Sequence, residues 1–488
     1  MRAPLLLLAL SGCSFSRFDY TECATNDECK SAFGWDSVCG DEGFCEPLAV
    51  PERCETTYPA DLWTNRAEYN DAVIFGSLYY LGYVDEVRSL ELPLRQVNGD
   101  DLNGGMDGKL FALIECDDRA FDDGVSYSDG LSYEESVPVY TEWLVGEVGV
   151  PAILGPDGSG ATESAWLHME EKGLQALLMA PAATSPSLTN LDGVNFDDQN
   201  PGLIWRTAPS DSLQGEAMAQ YLFETLSYTK VLLLFPDDAY GRGLKGSFYE
   251  GFTTVRGGTV DSVPYTSSTG LSSAVADVAS GSYDAVIFLG SSDGVSIPAF
   301  LAAANTVDAF VVDEMPIVLA DGGYNSDTYN SVEAAQYSDL FNQIIGTAPQ
   351  IEESGVTDDF RTSFSSIYGA APEDSSYPVY AYDAAWLVLA GAAWSYYQEG
   401  EVNPLGIGRG LRRVSEGTAV DLSPNAWNSG IASSFKAGIG IDVTGATGPL
   451  DYDADGETTA SIKVWRVVEV DGAYDFEELA SITPSVSD

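Results

Sequence analysis

The residues best able to do chemistry in this sequence begin with Gly155-Pro156-Asp157-Gly158-Ser159-Gly160, set between an apolar run at 151–154 and a helix-spaced run at 161–172. A hydroxyl there stands beside the unbonded N–H groups of a helix's first turn, a combination that grips carboxylate or carbonyl oxygen. Gly158 and Gly160 let the backbone approach closely. A second group lies in the loop after the apolar run 176–180, where the Thr184 hydroxyl sits near the Ala182 carbonyl, an acceptor for an ammonium. On residue type alone Ser159 reads equally as a helix N-cap and Thr184 as a turn residue. The cysteines form the third group. Cys23-x5-Cys29-x9-Cys39-x5-Cys45 runs through a stretch dense in Asp, Glu, Gly and Ser, with too few core-sized residues to fold unaided. It lacks the Cys-x2-Cys spacing of zinc sites, so the reading is disulfides rather than metal. Four cysteines allow three pairings. Loose analogy with small secreted modules favours the interleaved Cys23–Cys39 and Cys29–Cys45.

Other chemistry is excluded. The chain has one histidine, His168, inside the run 161–172 and flanked by Leu167 and Met169. Designs that need two histidines are ruled out, and no nucleophile is matched to this one, so it reads as structural or surface. Asp451-x-Asp453-x-Asp455-Gly456 opens like a calcium loop, but its twelfth position is Ile462 instead of a bidentate acid, and it reads as a hairpin turn. Gly406-Ile407-Gly408-Arg409-Gly410 lacks the strand that precedes a dinucleotide fingerprint and reads as a loop leading into a helix. Adjacent acids such as Asp122-Asp123 and Asp237-Asp238 carry little weight in a chain with 75 Asp and Glu against 22 Lys and Arg. That balance, −53 overall, argues against unassisted binding to nucleic acid or anionic lipid and fits a solvated acidic surface. No enzyme site, metal site or cofactor site emerges.

The elements that must position these groups follow one pattern. The chain is 488 residues long and 45% apolar, enough for two or three domains with a substantial core. Short apolar runs alternate with longer amphipathic ones, the signature of an α/β protein with mainly parallel sheets flanked by helices. Strands are expected at 72–78, 109–115, 151–154, 176–180, 230–235, 283–289, 316–320 and 460–468. Helices are expected at 134–148, 161–172, 212–226, 243–255, 271–279 and 297–304, with a long, Ala-rich, buried one at 380–397. In such sheets ligands gather at the carboxyl ends of the strands, which is where Ser159 and Thr184 fall.

Five blocks in order carry a family resemblance. Gly155 to Thr162 is the first, followed by Ala180-Pro181-Ala182-Ala183-Thr184-Ser185-Pro186-Ser187-Leu188-Thr189 and Trp205-Arg206-Thr207-Ala208-Pro209-Ser210-Asp211. Phe235-Pro236-Asp237-Asp238-Ala239-Tyr240-Gly241-Arg242-Gly243-Leu244 and Gly448-Pro449-Leu450-Asp451-Tyr452-Asp453-Ala454-Asp455-Gly456 complete the set. Together they resemble the type I periplasmic binding proteins, the leucine/isoleucine/valine- and amide-binding receptors of ABC transporters. The resemblance covers roughly 70–470 and leaves the cysteine-rich segment outside. It implies two α/β lobes joined by three hinge crossovers, with lobe one at 66–208 and 347–445 and lobe two at 209–346 and 446–488. It implies a small amino acid or amide-like ligand held between the lobes and an ABC permease as partner. It maps Ser159, Ala182 and Thr184 onto positions that hold the α-carboxylate and α-amino groups, Tyr240 onto a tyrosine lying over the ligand, and Asp321 near an acid that meets the ammonium. From the residues alone Tyr240 is equally a loop aromatic and Asp321-Gly322-Gly323 equally a turn. The sequence departs at Leu78-Tyr79-Tyr80-Leu81-Gly82, where the family commonly shows Pro-Leu-Thr/Ser-Gly; Tyr79 and Tyr80 are expected to narrow the pocket or stack on the ligand. Relatives of the same fold also serve as partner-binding activators of cell-wall synthases or as sensory subunits, and this remains the alternative function.

The N-terminus reads as an export signal. Arg2 precedes an apolar run at 5–10, too short to span a bilayer, and Leu10-Ser11-Gly12-Cys13 resembles a bacterial lipobox. The expectation is a signal peptide at 1–12 and a lipidated Cys13 heading a cysteine-rich stalk at 13–65. Ser14 is not the aspartate associated with inner-membrane retention, which favours an outer-membrane or surface anchor. Cys54 lies shortly before the first lobe-one strand and Cys116 ends its neighbour, so these two are expected to form a third disulfide.

Overall fold

The computed structural model describes residues 22–119, 127–194, 196–290, 297–373 and 375–484. The expected signal peptide and Cys13 lie outside the described residues. The chain divides into a small unit ending at Ala49 and a large one beginning at Val50.

The small unit holds the helix Asn26–Phe33 and the antiparallel hairpin Ser37–Cys39 with Cys45–Pro47. Thr25 caps the helix by accepting from the Glu28 N–H, and the Asn26 side chain accepts from Cys39 N at 2.8 Å. Disulfides Cys23–Cys39 and Cys29–Cys45 tie hairpin to helix in the interleaved pairing. With Cys29 among its few fully buried side chains, this unit depends on cross-links where a larger domain would use a core.

The large unit is built on two sheets. The first has the order Thr56–Tyr58, Phe111–Asp117, Val73–Tyr79, Ala152–Leu154, Leu177–Ala180, Ile204–Arg206 and is parallel except at the first edge strand. The second has the order Thr259–Tyr265, Lys230–Pro236, Ala285–Phe288, Ile317–Leu319, Ile344–Pro349, Ile462–Val470, Ala473–Ile482. Its first five strands are parallel, and the closing hairpin adds two antiparallel ones. The chain leaves the first sheet after Arg206, returns to that side after Pro349, and crosses once more between Pro449 and Ile462. These are the three expected crossovers. Cys54–Cys116 is also formed, clamping the edge strand Thr56–Tyr58 to its neighbour.

Pairing places several boundaries differently from the sequence reading. Thr56–Tyr58 joins the first sheet, so that lobe begins well before 66 and the cysteine-rich unit ends at Ala49. Ile344–Pro349 pairs wholly within the second sheet, so the return crossing follows Pro349 instead of 347. Gly448–Pro449 pairs with Ile441–Gly445 beside the first lobe, which carries that lobe beyond 445. The segment around Gly406 is itself the helix Pro404–Leu411, capped by Asn403 and started by Pro404. Its glycines serve packing: a Cβ on Gly410 would stand 2.7 Å from the Gly391 Cα of the long helix Tyr377–Trp394. That helix is buried along nearly its whole length. Among the described residues no helix is long and apolar enough to cross a membrane.

Candidate functional site

The carboxyl ends of the two parallel sheets face a common cavity of about 640 Å³. The first lobe contributes Tyr80, Tyr83, Glu86, Asp157, Gly158, Ser159, Ala182 and Tyr377, and the second contributes Tyr240, Asp321 and Tyr324 among others.

On the first-lobe wall, the strand Ala152–Leu154 ends at Gly155 with φ +114°, where a Cβ would strike the Leu78 carbonyl at 2.6 Å. Only glycine fits that turn. The helix Ser159–Lys172 then starts with Gly158 as N-cap and no side-chain cap, so its first N–H groups point toward the cavity end unclaimed by the helix itself. Ser159 is 3% exposed, and its Oγ accepts from Ser185 N at 3.1 Å, keeping the hydroxyl proton to donate. Thr184 is placed differently from the expectation. Its side chain is off the cavity wall, and Oγ1 donates to Asp211 Oδ2 at 2.9 Å while the Asp211 N–H donates to the Thr184 carbonyl at 2.8 Å.

Asp321 on the second lobe follows the strand Ile317–Leu319 and is nearly buried. Oδ1 accepts from the Tyr240 hydroxyl at 2.7 Å and from Gln214 Nε2 at 3.2 Å, and Oδ2 accepts from the Tyr377 hydroxyl. Tyr240 stands in the first turn of the helix Ala239–Tyr249, whose N-cap Asp238 accepts from Gly241 N. Tyr377 opens the long first-lobe helix, so its bond spans the cleft. Ser185 Oγ adds a second crossing by donating to the Ala239 carbonyl at 2.9 Å. Burial, then Asp321, pushes both tyrosine hydroxyls well above the usual range, and both remain donors. Nearby Asp211 is fully buried. Burial first and Asp321 second push it well above the usual carboxylate range, beside an Asp321 furnished with three donors.

The two adjacent tyrosines part ways. Tyr79 is fully buried in the strand Val73–Tyr79, off the cavity wall, and donates its hydroxyl to Glu86. Tyr80 lines the cavity, edge-to-face with Tyr83 at 5.0 Å. Burial pushes Glu86 up to about 8, with Glu373 and Asp157 adding to the rise against the Tyr79 bond. Arg119 Nη2 donates to Asp157 Oδ2 at 2.5 Å, and its guanidinium lies over the rings of Tyr80 and Tyr83.

Of the residues singled out in the sequence, the structure therefore gathers Ser159, Ala182, Tyr80, Tyr240 and Asp321 on one cavity and leaves Thr184 and Tyr79 behind its wall. Sequence reasoning missed Tyr377, Gln214, Glu86, Tyr83 and Arg119. Arg119 was findable, because it lies just beyond the carboxyl end of the strand Phe111–Asp117. His168 bonds Glu142 at 2.8 Å on a helix surface, and the Asp451–Gly456 segment is a turn in which Asp453 accepts from Asp455 N and Glu457 N.

Residues 125–425 match the family model described as periplasmic binding protein. The leucine-specific-binding protein of Salmonella typhimurium is 31% identical over 128 residues, which is 26% of this chain and 31% of the relative. The Leu/Ile/Val/Thr-binding protein of the same organism is 27% identical over 183 residues, 36% of this chain and 46% of that one. The chain thus spans less than half the length of these curated relatives. Among solved structures, a leucine-binding protein from Thermotoga maritima superposes with a TM-score of 0.61 at 18% identity, covering 85% of this chain and 99% of the other. A solute-binding protein from R. palustris in complex with 4-hydroxybenzoate gives 0.62 at 14% identity, covering 85% and 98%. Both show the same two-lobed fold.

Proposed function

Since the chain belongs to the periplasmic binding protein family, we propose that it is an exported receptor that takes a small amino acid or amide-like solute between its lobes and presents it to an ABC-type permease. The observation that carries this reading is the cavity itself, with the open first turn of the helix Ser159–Lys172 on one wall and Asp321 on the other. The N–H groups and the Ser159 hydroxyl suit a carboxylate or carbonyl, and Asp321 suits an amino or amide nitrogen. Ala182 lies beside them, with Tyr80 and Tyr240 as walls.

Closure follows from the topology. Three crossings form a hinge, and a solute that touches both walls favours the closed form by its differential affinity for it. An open cavity of this size supports a receptor over a partner-binding activator with a filled cleft. The Cys13 lipobox would anchor the receptor to a membrane facing the periplasm or the exterior, the outer membrane being favoured by Ser14, with the disulfide-linked unit as spacer. A thermal-shift screen of the purified chain against amino acids, amides and small carboxylates tests the reading. A solute at about a hundred times its Kd stabilises the fold by about 2.7 kcal/mol. A screen in which no amino acid or amide shifts the melting temperature rejects it. Mass spectrometry of the mature chain checks the anchor, and an unmodified N-terminus elsewhere rejects that part alone.

A further inference from the structure

The charge of the cleft goes beyond what an amino-acid head group requires. Glu86, Asp157, Asp321, Asp327 and Glu333 line it, and no Lys, Arg or His stands among the described lining residues. Acids on an outer surface are solvated and need no partner. Glu86, Asp157 and Asp321 are instead 5%, 4% and 5% exposed, and a carboxylate taken out of water needs donors, a proton or a counter-charge. Asp321 has three donors. Asp157 has Arg119 on Oδ2, but its buried Oδ1 has no hydrogen-bond partner. Glu86 receives the Tyr79 hydroxyl and, pushed up to about 8 by burial, favours its proton until a cation stands beside it. Beside these acids stand Tyr80 and Tyr83, whose rings already take the Arg119 guanidinium at 5.3 Å. Phenol rings next to carboxylates are a surface for ammonium or guanidinium groups.

Resting on the amino-acid receptor reading, we propose that the preferred solute is a basic amino acid, whose second cationic group sits at the end of the cavity lined by Glu86 and Asp157, beside Tyr80 and Tyr83. A branched aliphatic side chain in that place strips water from the carboxylates and returns no counter-charge. A cationic one returns it, and the exposed Asp327 and Glu333 at the mouth steer it inward. The cavity has room for an extended side chain of this kind.

The full chain is titrated calorimetrically with L-arginine, L-lysine, L-leucine and L-glutamine at neutral pH and low salt. Arginine or lysine is expected to bind at least about tenfold more tightly than the two neutral amino acids. If leucine or glutamine equals or exceeds both, this inference is overturned while the receptor reading stands. If none of the four binds, this inference is overturned as well, and the receptor reading is decided separately by the wider thermal-shift screen. Asp157→Asn is expected to lower the arginine-to-leucine affinity ratio about tenfold. Should it fail to fold, the double variant Asp327→Asn, Glu333→Gln changes only exposed side chains and is expected to lower the ratio about threefold and flatten its salt dependence. An unchanged ratio in the folded variants overturns the assignment.

Discussion

Tyr377→Phe isolates the bond that spans the cleft. Asp321 accepts from Tyr240 and Gln214 on its own lobe and from Tyr377 on the other. Removing the Tyr377 hydroxyl leaves two donors and no new cavity larger than one oxygen. A hydrogen bond to a charged group contributes about 1.5–3 kcal/mol. If the bond exists only when the lobes meet, all of that falls on the closing equilibrium, a factor of about 10–150. Ligand-free small-angle scattering should then show a larger radius of gyration than wild type, and the best solute of the amino-acid panel should bind more weakly by a comparable factor. Tyr240→Phe is the internal control. It removes an equally placed donor from the same carboxylate, but one on the same lobe, so it should weaken solute binding with far less change in ligand-free size. Ser185 still donates to the Ala239 carbonyl in both variants, which keeps part of the contact between lobes. Identical scattering and identical affinity for Tyr377→Phe and wild type would refute the argument that this bond belongs to closure.

Other substitutions separate groups that the sequence treated alike. Ser159→Ala should weaken solute binding about tenfold and lower stability by about 1–3 kcal/mol, because it leaves the buried Ser185 N–H without its acceptor, whereas Thr184→Ala should cost a similar amount of stability by stripping a partner from buried Asp211 and leave binding nearly unchanged; equal effects of the two on binding would contradict this division. Burial pushes Glu115 up to about 8, with Glu91 adding to it, and its Oε1 has no partner. The folded-state value is above the unfolded one, so its contribution is full below about 4.5 and is lost as pH rises through about 8, with about 5 kcal/mol as the upper bound. Melting temperature should therefore fall across that window and fall less in Glu115→Gln; parallel curves would sink the assignment. Breaking Cys54–Cys116 in a double alanine variant releases a loop with a sequence separation of 62 and should cost on the order of 4 kcal/mol in urea unfolding.

What the sequence made legible were the buried parallel strands, because a run flanked by helices on both faces is apolar without interruption. Lys230–Pro236 and Ala285–Phe288 are of this kind. The edge strands escaped notice. Thr259–Tyr265 alternates with polar residues and carries Pro264 ahead of its last residue, a pattern that suits an edge strand. Thr56–Tyr58 is three residues long and owes its place to the neighbouring disulfide as much as to its own composition. The lobe boundaries shifted for the same reason, since pairing partners and not local propensity decide where a strand belongs. At the site, the limit was side-chain direction. Successive strand residues point to opposite faces, so of Tyr79 and Tyr80 only one could reach the cavity, and which one depends on where the strand ends. Thr184 was assigned by its loop, but the carboxylate that claims it, Asp211, lies across the first crossover and is reachable only through the fold.

The net charge of −53 and the acids of the cleft are separate facts with separate consequences. Charges on the outer surface are screened beyond about 10 Å, so they raise the local concentration of cations without deciding what is held. Inside the cleft, screening is weak and each carboxylate must be answered locally. Asp321 is answered by two hydroxyls and an amide, Asp211 by the Thr184 hydroxyl, and Asp157 by Arg119 on one oxygen only. The helix Ser159–Lys172 adds the opposite sign, since its first turn presents N–H groups and the positive end of its dipole to the same space. A solute carboxylate can therefore sit among acids as long as it stays at that turn and Asp157 stays paired with Arg119. Breaking that pair would place two uncompensated anions side by side, which makes Arg119 a condition for anion binding although it lies outside the cavity wall. The selectivity of the cleft then rests on how many buried carboxylates remain to be answered once the head group is seated.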